Sequence, residues 1–287
     1  MLDLAIAYRI YPRISKVPAV FPDNKFQLSA LCLRSFKKAL GHLRVKMWVL
    51  LDGCQMEYEE LFRSLFTSDE IEIVDLKNVG NLATFSIQLD LLIGQTEASL
   101  VYFAEDDYFY FPEAIAKMVD FARNNVSVDF VTPYDHPDLY TQSSSKERHV
   151  IKASGDRHWR TASSTCLTFL ASRRSLQRAQ RVFRTYSRGN NDCSMWLALT
   201  QKSRLLNLHV HWHDVGAFKI WLLVIRWSLL QILFGKRYEL WSPLPTVATH
   251  LESSCLAPLI DWNSEFIRAQ AEESQSILKL LNNLGSP

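Results

Sequence analysis

Three consecutive carboxylates, Glu105, Asp106 and Asp107, follow directly on the apolar run Leu100-Val101-Tyr102-Phe103-Ala104, which reads as a buried strand. Desolvating neighbouring anions is costly unless positive charge meets them. A hard divalent cation held through oxygen ligands, and itself holding a phosphate, is the simplest neutraliser. A solvated acidic turn closing a strand is the bland alternative. Two other groups invite chemistry. Asp192 follows Gly189-Asn190-Asn191 and opens an apolar-periodic run, where an aspartate serves as a helix cap or as a base whose ionised form the helix N-terminus favours. Histidines stand at His209, His211 and His213, and again at His250; alternate histidines share one strand face and could chelate zinc.

The elements that must position these residues alternate. Leu2–Tyr8, Val45–Leu51, Ile71–Val74 and Leu100–Ala104 read as strands. Helical spacing links Leu28, Leu31, Cys32, Phe36, Ala39 and Leu40, then Tyr58, Leu61, Phe62, Leu65 and Phe66, then Leu82, Phe85, Leu89, Leu92 and Ile93. Strand–helix alternation with short connections predicts an α/β fold with a doubly wound, mostly parallel sheet. Ligands of such sheets sit outside the strand carboxyl ends. Tyr8-Arg9, Asp52-Gly53 and the acidic triplet should therefore converge on one crevice. Arg9 pairs with a phosphate there or balances a neighbouring carboxylate; Asp52 before Gly53 is a ligand or a turn residue.

The second half is less regular. Val128–Thr132 and Thr165–Leu170 read as strands, and the polar stretch Tyr134–Arg160 reads as a long loop without an apolar period of its own. Its Tyr134, Asp135, His136, His158, Trp159 and Arg160 are candidates for stacking on and hydrogen-bonding to carbohydrate. Leu176 to Tyr186 and Met195 to Leu199 mark further helices, and Ile277, Leu280, Leu281 and Leu284 a closing one. Ile220–Phe234 is the most apolar segment, too short to cross a bilayer and interrupted by Arg226. It fits a helix at a membrane surface, a dimer contact or a core helix.

Composition sets bounds. Lysine and arginine total 32 against 30 acids, so no field draws nucleic acid. A hydrophobic content of 48% and eight tryptophans argue against disorder. The five cysteines are scattered, as expected for thiols in a reducing compartment. The N-terminus lacks a basic segment followed by an apolar one, so a cytoplasmic address is expected, or a peripheral one at the cytoplasmic face of the membrane.

Four pieces in order, Val49-Leu50-Leu51-Asp52-Gly53-Cys54, Glu105-Asp106-Asp107 with Phe111-Pro112 behind it, Asn191-Asp192, and Pro245-Thr246-Val247-Ala248-Thr249-His250, make the chain resemble the GT-A superfamily of nucleotide-sugar-dependent glycosyltransferases, in particular its family-2-like, Glu-Asp-Asp members. The resemblance implies a Rossmann-like GT-A domain over residues 1–262, with a nucleotide-binding half (1–127) and an acceptor half (128–262), and a C-terminal helix over 263–287. It implies a nucleotide-diphosphate sugar donor, a saccharide or lipid-linked acceptor, and Mn²⁺ or Mg²⁺ as cofactor. By position, Asp107 and His250 resemble the metal ligands, with His213 as rival to His250. Glu105 and Asp106 would contact sugar or ribose hydroxyls and Asp52 the nucleobase. Tyr8, Arg9, Asn81 and Ser86 would flank the nucleotide, and Asp192 would be the general base of an inverting transfer. Many relatives carry paired acids where this chain has Asn191 before Asp192, which leaves the stereochemistry open. A sugar-1-phosphate nucleotidyltransferase shares such a sheet but needs a glycine-rich loop after the first strand, which Tyr8-Arg9-Ile10-Tyr11-Pro12 does not supply. A catalytically silent nucleotide- or glycan-binding module is the remaining alternative.

Overall fold

The structure, a computed structural model, describes residues 1–14, 16–141, 149–200 and 215–272. Four parallel strands open it: β1 (Leu4–Ile10), β2 (Val45–Asp52), β3 (Ile71–Leu76) and β4 (Leu100–Glu105). They are joined by α1 (Lys25–Leu40), α2 (Met56–Leu65) and α3 (Asn81–Gly94). A short β5 (Tyr108–Tyr110), α4 (Ala114–Asn124), β6 (Phe130–Val131) and α5 (Asp138–Thr141) follow. Then come β7 (Ile151–Ser154), β8 (Arg157–Ala162), β9 (Phe169–Ser172), α6 (Arg173–Phe183) and α7 (Asp192–Thr200). Helix α8 (Val215–Phe234), β10 (Leu240–Leu244) and β11 (Ala248–His250) complete the named elements, and residues 262–272 are helical.

Among the described residues the main sheet has nine strands in the order β3-β2-β1-β4-β9-β6-β10-β8-β7. The β3-β2-β1-β4 half is parallel throughout. Beyond β4, antiparallel partners alternate with the parallel β6–β10 pair. This is the Rossmann-like α/β arrangement expected, extended by a mixed half.

Both faces of the sheet are buried, so its central strands are apolar on most residues of either face until their carboxyl ends. Leu4, Ile6, Tyr8 and Ile10 pack toward α1, α2 and α4, whereas Ala5 and Ala7 face the second core with Phe85, Leu89 and Leu92 of α3. The chain winds from β1 out to β3, then returns to place β4 on the other side of β1. That reversal opens a crevice at the carboxyl ends of β1 and β4.

Two expectations need correction. The stretch Tyr134–Arg160 contains α5 and the β7–β8 hairpin, whose residues pair from Ile151↔Arg160 to Ser154↔Arg157. Gly155, at φ +63°, turns that hairpin, and Gly155-Asp156 between two strand-like runs was the readable signal. Strand β9 begins at Phe169 rather than at Thr165, and β6 holds only Phe130 and Val131. The helix expected around Ile277–Leu284 lies outside the described residues.

Candidate active site

The β1–β4 register decides the first contact. Arg9 is the ladder partner of Glu105, and partners on adjacent parallel strands project to the same face. Arg9 Nη2 accordingly donates to Glu105 Oε1, while Nη1 donates to the side chain and backbone oxygens of Asn81 at the start of α3. Thr168 Oγ1 donates to the other oxygen of Glu105 at 2.9 Å, and Asn81 Nδ2 donates to Tyr186 Oη at 2.9 Å. Burial opposes the charge of Arg9, but Glu105 beside it outweighs that and raises its pKa.

The next carboxylate turns the other way. Asp106 faces α1, where Lys25 Nζ stands 2.7 Å from Oδ2 and the Tyr11 N–H and Ser29 hydroxyl donate to the same oxygen at 3.3 Å. Burial pushes the Asp106 carboxyl up against the pull of Lys25. Burial lowers Lys25 in turn, but Asp106 and Asp107 raise it further. Lys25 was missed by the sequence reading, yet left a trace: a cation as the first residue of a helix opposes the macrodipole unless a counter-charge holds it there.

Asp107 meets a third partner. Strand β11 pairs antiparallel with β5 so that His250 lies opposite Tyr108, and His250 Nε2 comes within 3.2 Å of Asp107 Oδ2. The other oxygen, Oδ1, is buried and has no hydrogen-bond partner among the described residues. Burial works to raise Asp107, but His250 holds it well below the usual carboxylate range. For His250, burial opposes protonation and Asp107 favours it more strongly, raising the ring above its ordinary value. The Glu252 N–H, donating to Nδ1 at 3.1 Å, works against a second ring proton.

This donor set bears on the expected metal. Arg9 and Lys25 already set a cation against Glu105 and Asp106, and His250 Nε2 meets Asp107. Among the described residues no group of three or more His, Cys, Asp or Glu side chains is arranged to hold an ion. His250 does not fit as a ligand in this geometry. With Nδ1 accepting a backbone N–H, the neutral ring carries its proton on Nε2, the nitrogen a metal would need. Asp107 does fit, since its orphaned Oδ1 is the kind of single hard oxygen by which Mg²⁺-type ions are held when phosphates and waters complete the shell. The rival His213, with His209 and His211, lies outside the described residues.

Asp52, 2% exposed, ends β2. Its Oδ1 accepts the Val79 N–H at 2.7 Å and its Oδ2 the Gly80 N–H at 2.8 Å. Both oxygens thus clamp the turn entering α3. Gly53 follows at φ +70°, where a Cβ would stand 2.1 Å from Asn78 Oδ1, so the Asp-Gly pair is required by the turn itself.

Asn191, not Asp192, caps α7: its Oδ1 accepts the Ser194 N–H at 2.8 Å. Asp192 occupies the first helical position, and its Oδ1 accepts the Cys193 N–H at 2.8 Å. Its other oxygen makes no hydrogen bond among the described residues. Asn190 is buried and braces this corner, accepting from Ser194 Oγ at 2.7 Å and donating to Thr185 Oγ1 at 2.8 Å.

A single cleft of ≈ 550 Å³ is lined by Arg9, Asp52, Asn81, Glu105, Asp106, Asp107, Asp192 and His250, together with Arg13, Lys16, Lys25 and Tyr186. Two expected residues do not reach it. Tyr8 is fully buried, packed edge-on against Phe36 and Phe62, because strand alternation sends it to the face opposite Arg9. Ser86 lies two residues past the lining Thr84, about 200° further round the helix. The acceptor candidates of the 134–160 segment do not line the cleft either. Trp159 is 1% exposed and stacks on Phe121 with ring centroids 4.2 Å apart. Arg160 and Asp135 form a buried ion pair at 2.6 Å, and Tyr134 is core.

No protein-family model matches the chain, and no curated protein does. Solved structures with a related course of chain include residues 1–349 of S. aureus TarS, at 12% identity and a TM-score of 0.41, covering 77% of this chain and 70% of that one. The same protein in complex with UDP-GlcNAc aligns over 64% of this chain and 52% of that one, again at 12% identity and TM-score 0.41. A cytidylyltransferase from Leptospira borgpetersenii follows at 9% identity and TM-score 0.36, with 63% and 64% covered. What those proteins bind is a property of theirs at this level of likeness.

Proposed function

We propose that this chain transfers a sugar from a nucleotide-diphosphate sugar to a saccharide or lipid-linked acceptor, with inversion at the transferred carbon. One observation carries the reading. The carboxyl ends of β1, β2 and β4 supply Arg9, Asp52 and the acidic triplet to one cleft, and α7 brings Asp192 to the same cleft. A pocket at the reversal point of a parallel sheet suits a nucleotide.

Within that reading, Lys25 and Arg9 orient Asp106 and Glu105 as acceptors for sugar or ribose hydroxyls. Asn81 and Tyr186 extend the Arg9 side of the cleft. Asp107 would hold a hard divalent ion, Mg²⁺ or Mn²⁺, which when bound stabilises negative charge on the departing β-phosphate. His250 orients Asp107 through Nε2 rather than ligating the ion. Asp192, relieved of capping by Asn191, takes the proton of the acceptor hydroxyl.

Calorimetry with nucleoside diphosphates and thermal shift with nucleotide sugars, each with and without Mn²⁺ or Mg²⁺, test the donor, since a bound ligand raises apparent stability by mass action. Asp192→Asn should keep donor binding and lower transfer by about 10²–10⁴-fold. Donor binding without transfer in the parent protein would leave a silent module. No binding of any nucleotide would remove the proposal, and transfer at the parent rate in Asp192→Asn would remove the base.

A further inference from the structure

Helix α8 is apolar on two opposite faces. Its inner face is core: Val224 and Ile232 are fully buried, with Ile220, Trp221 and Ile225 packed beside them. A helix covering a globular core ordinarily turns polar residues outward. Here the outward stripe carries Leu222, Leu229, Leu230, Leu233 and Phe234, with Leu230 at 71% and Phe234 at 80% exposure. The helix kinks at Ser228, whose backbone is non-helical (φ −136°, ψ 20°); at about 100° per residue Leu229, Leu230, Leu233 and Phe234 fall within one face of the segment after the kink, and Lys219, Leu222 and Arg226 within one face of the segment before it. Lys219 and Arg226 are exposed on that face, and Arg237 is exposed just beyond the end of the helix. No aspartate or glutamate occurs from Val215 to Arg237. Lys236 is committed to Asp129 at 2.8 Å and is not counted.

We propose that this face docks on an anionic lipid surface. An exposed apolar patch of this kind marks an interaction site, and three considerations select the partner. Among the described residues no helix is long and apolar enough to cross a membrane, so α8 lies on a bilayer rather than spanning it. Apolar side chains ringed by bases and free of acids complement acyl chains beneath anionic headgroups. A second copy seated on the same face by a two-fold axis would set Lys219, Arg226 and Arg237 against themselves, which works against a dimer there. Lipid docking by α8 does not depend on the chemistry assigned to the cleft.

The full chain is mixed with vesicles of phosphatidylcholine alone, or of phosphatidylcholine with phosphatidylglycerol, and sedimented without any nucleotide. It should sediment with the mixed vesicles, less so at high salt, and weakly with the neutral ones. Leu230→Glu with Phe234→Glu should weaken partitioning about tenfold or more, because both side chains leave the acyl boundary. Arg226→Glu should lower binding to the mixed vesicles alone, by about fivefold or more. Both changes are at exposed positions, so melting temperatures should match the parent. The proposal is overturned by no sedimentation with either vesicle, by equal binding to both, or by a concentration-dependent dimer that Leu230→Glu abolishes.

Discussion

Asp52 separates two accounts of the cleft that make opposite predictions. Its two oxygens accept the Val79 and Gly80 amides at 2.7 and 2.8 Å, and the side chain is buried. In Asp52→Asn, one oxygen remains to accept one amide, while the new NH₂ group faces the other N–H, donor against donor. The variant loses one charge-assisted bond, worth about 1.5–3 kcal/mol, and leaves a buried amide unsatisfied at about 1–3 kcal/mol. Rotation of the side chain relieves part of this, so a net loss of about 2–4 kcal/mol is expected. For a chain of this size that corresponds to a melting temperature lower by roughly 5–12 °C. The measurement is thermal or urea denaturation without nucleotide. Stability within about 0.5 kcal/mol of the parent, with nucleotide affinity lost, would refute the clamp and restore Asp52 as a direct ligand of the base.

Further outcomes follow from the same geometry. Lys25→Met removes the cation 2.7 Å from the buried Asp106 and should destabilise the ligand-free protein by up to about 3–5 kcal/mol; an unchanged urea midpoint would mean the pair contributes nothing. Asp3 has its pKa lowered to about 2, chiefly by the Arg123 side chain and then the Arg44 backbone. A depressed carboxyl contributes stability above its unfolded pKa of about 3.9 and loses it as pH falls toward about 2. Asp3→Asn should therefore lower stability at pH 7 and show a smaller further drop between pH 5 and pH 3 than the parent; identical acid profiles would contradict this.

Much of the frame was legible in the residues. The largely apolar runs Leu2–Tyr8, Val45–Leu51 and Leu100–Ala104 mark the neighbouring parallel strands Leu4–Ile10, Val45–Asp52 and Leu100–Glu105, because both faces of a central sheet are buried and that requirement shows in sequence as apolar residues at successive positions. The convergence of Arg9, Asp52 and the triplet followed from strand ends alone. The β7–β8 hairpin was hidden in polar composition, since Ile151 and Ala153 are exposed, Lys152 and Ser154 only half-buried, and no buried apolar stripe is left to read. Trp159 looked like a surface platform because its neighbours His158 and Arg157 are polar, whereas its partner Phe121 is 38 positions away.

The chain's local order thus determined which residue types stand at each strand end, because propensity and alternation act over a few neighbours. What each of those side chains faces was a matter of register and of distant elements. Glu105 met Arg9 through the β1–β4 pairing, Asp106 met Lys25 through the docking of α1, and His250 reached Asp107 through the β5–β11 pairing. The partners of the triplet come from remote segments, and pairing across such sequence separations is set by tertiary packing.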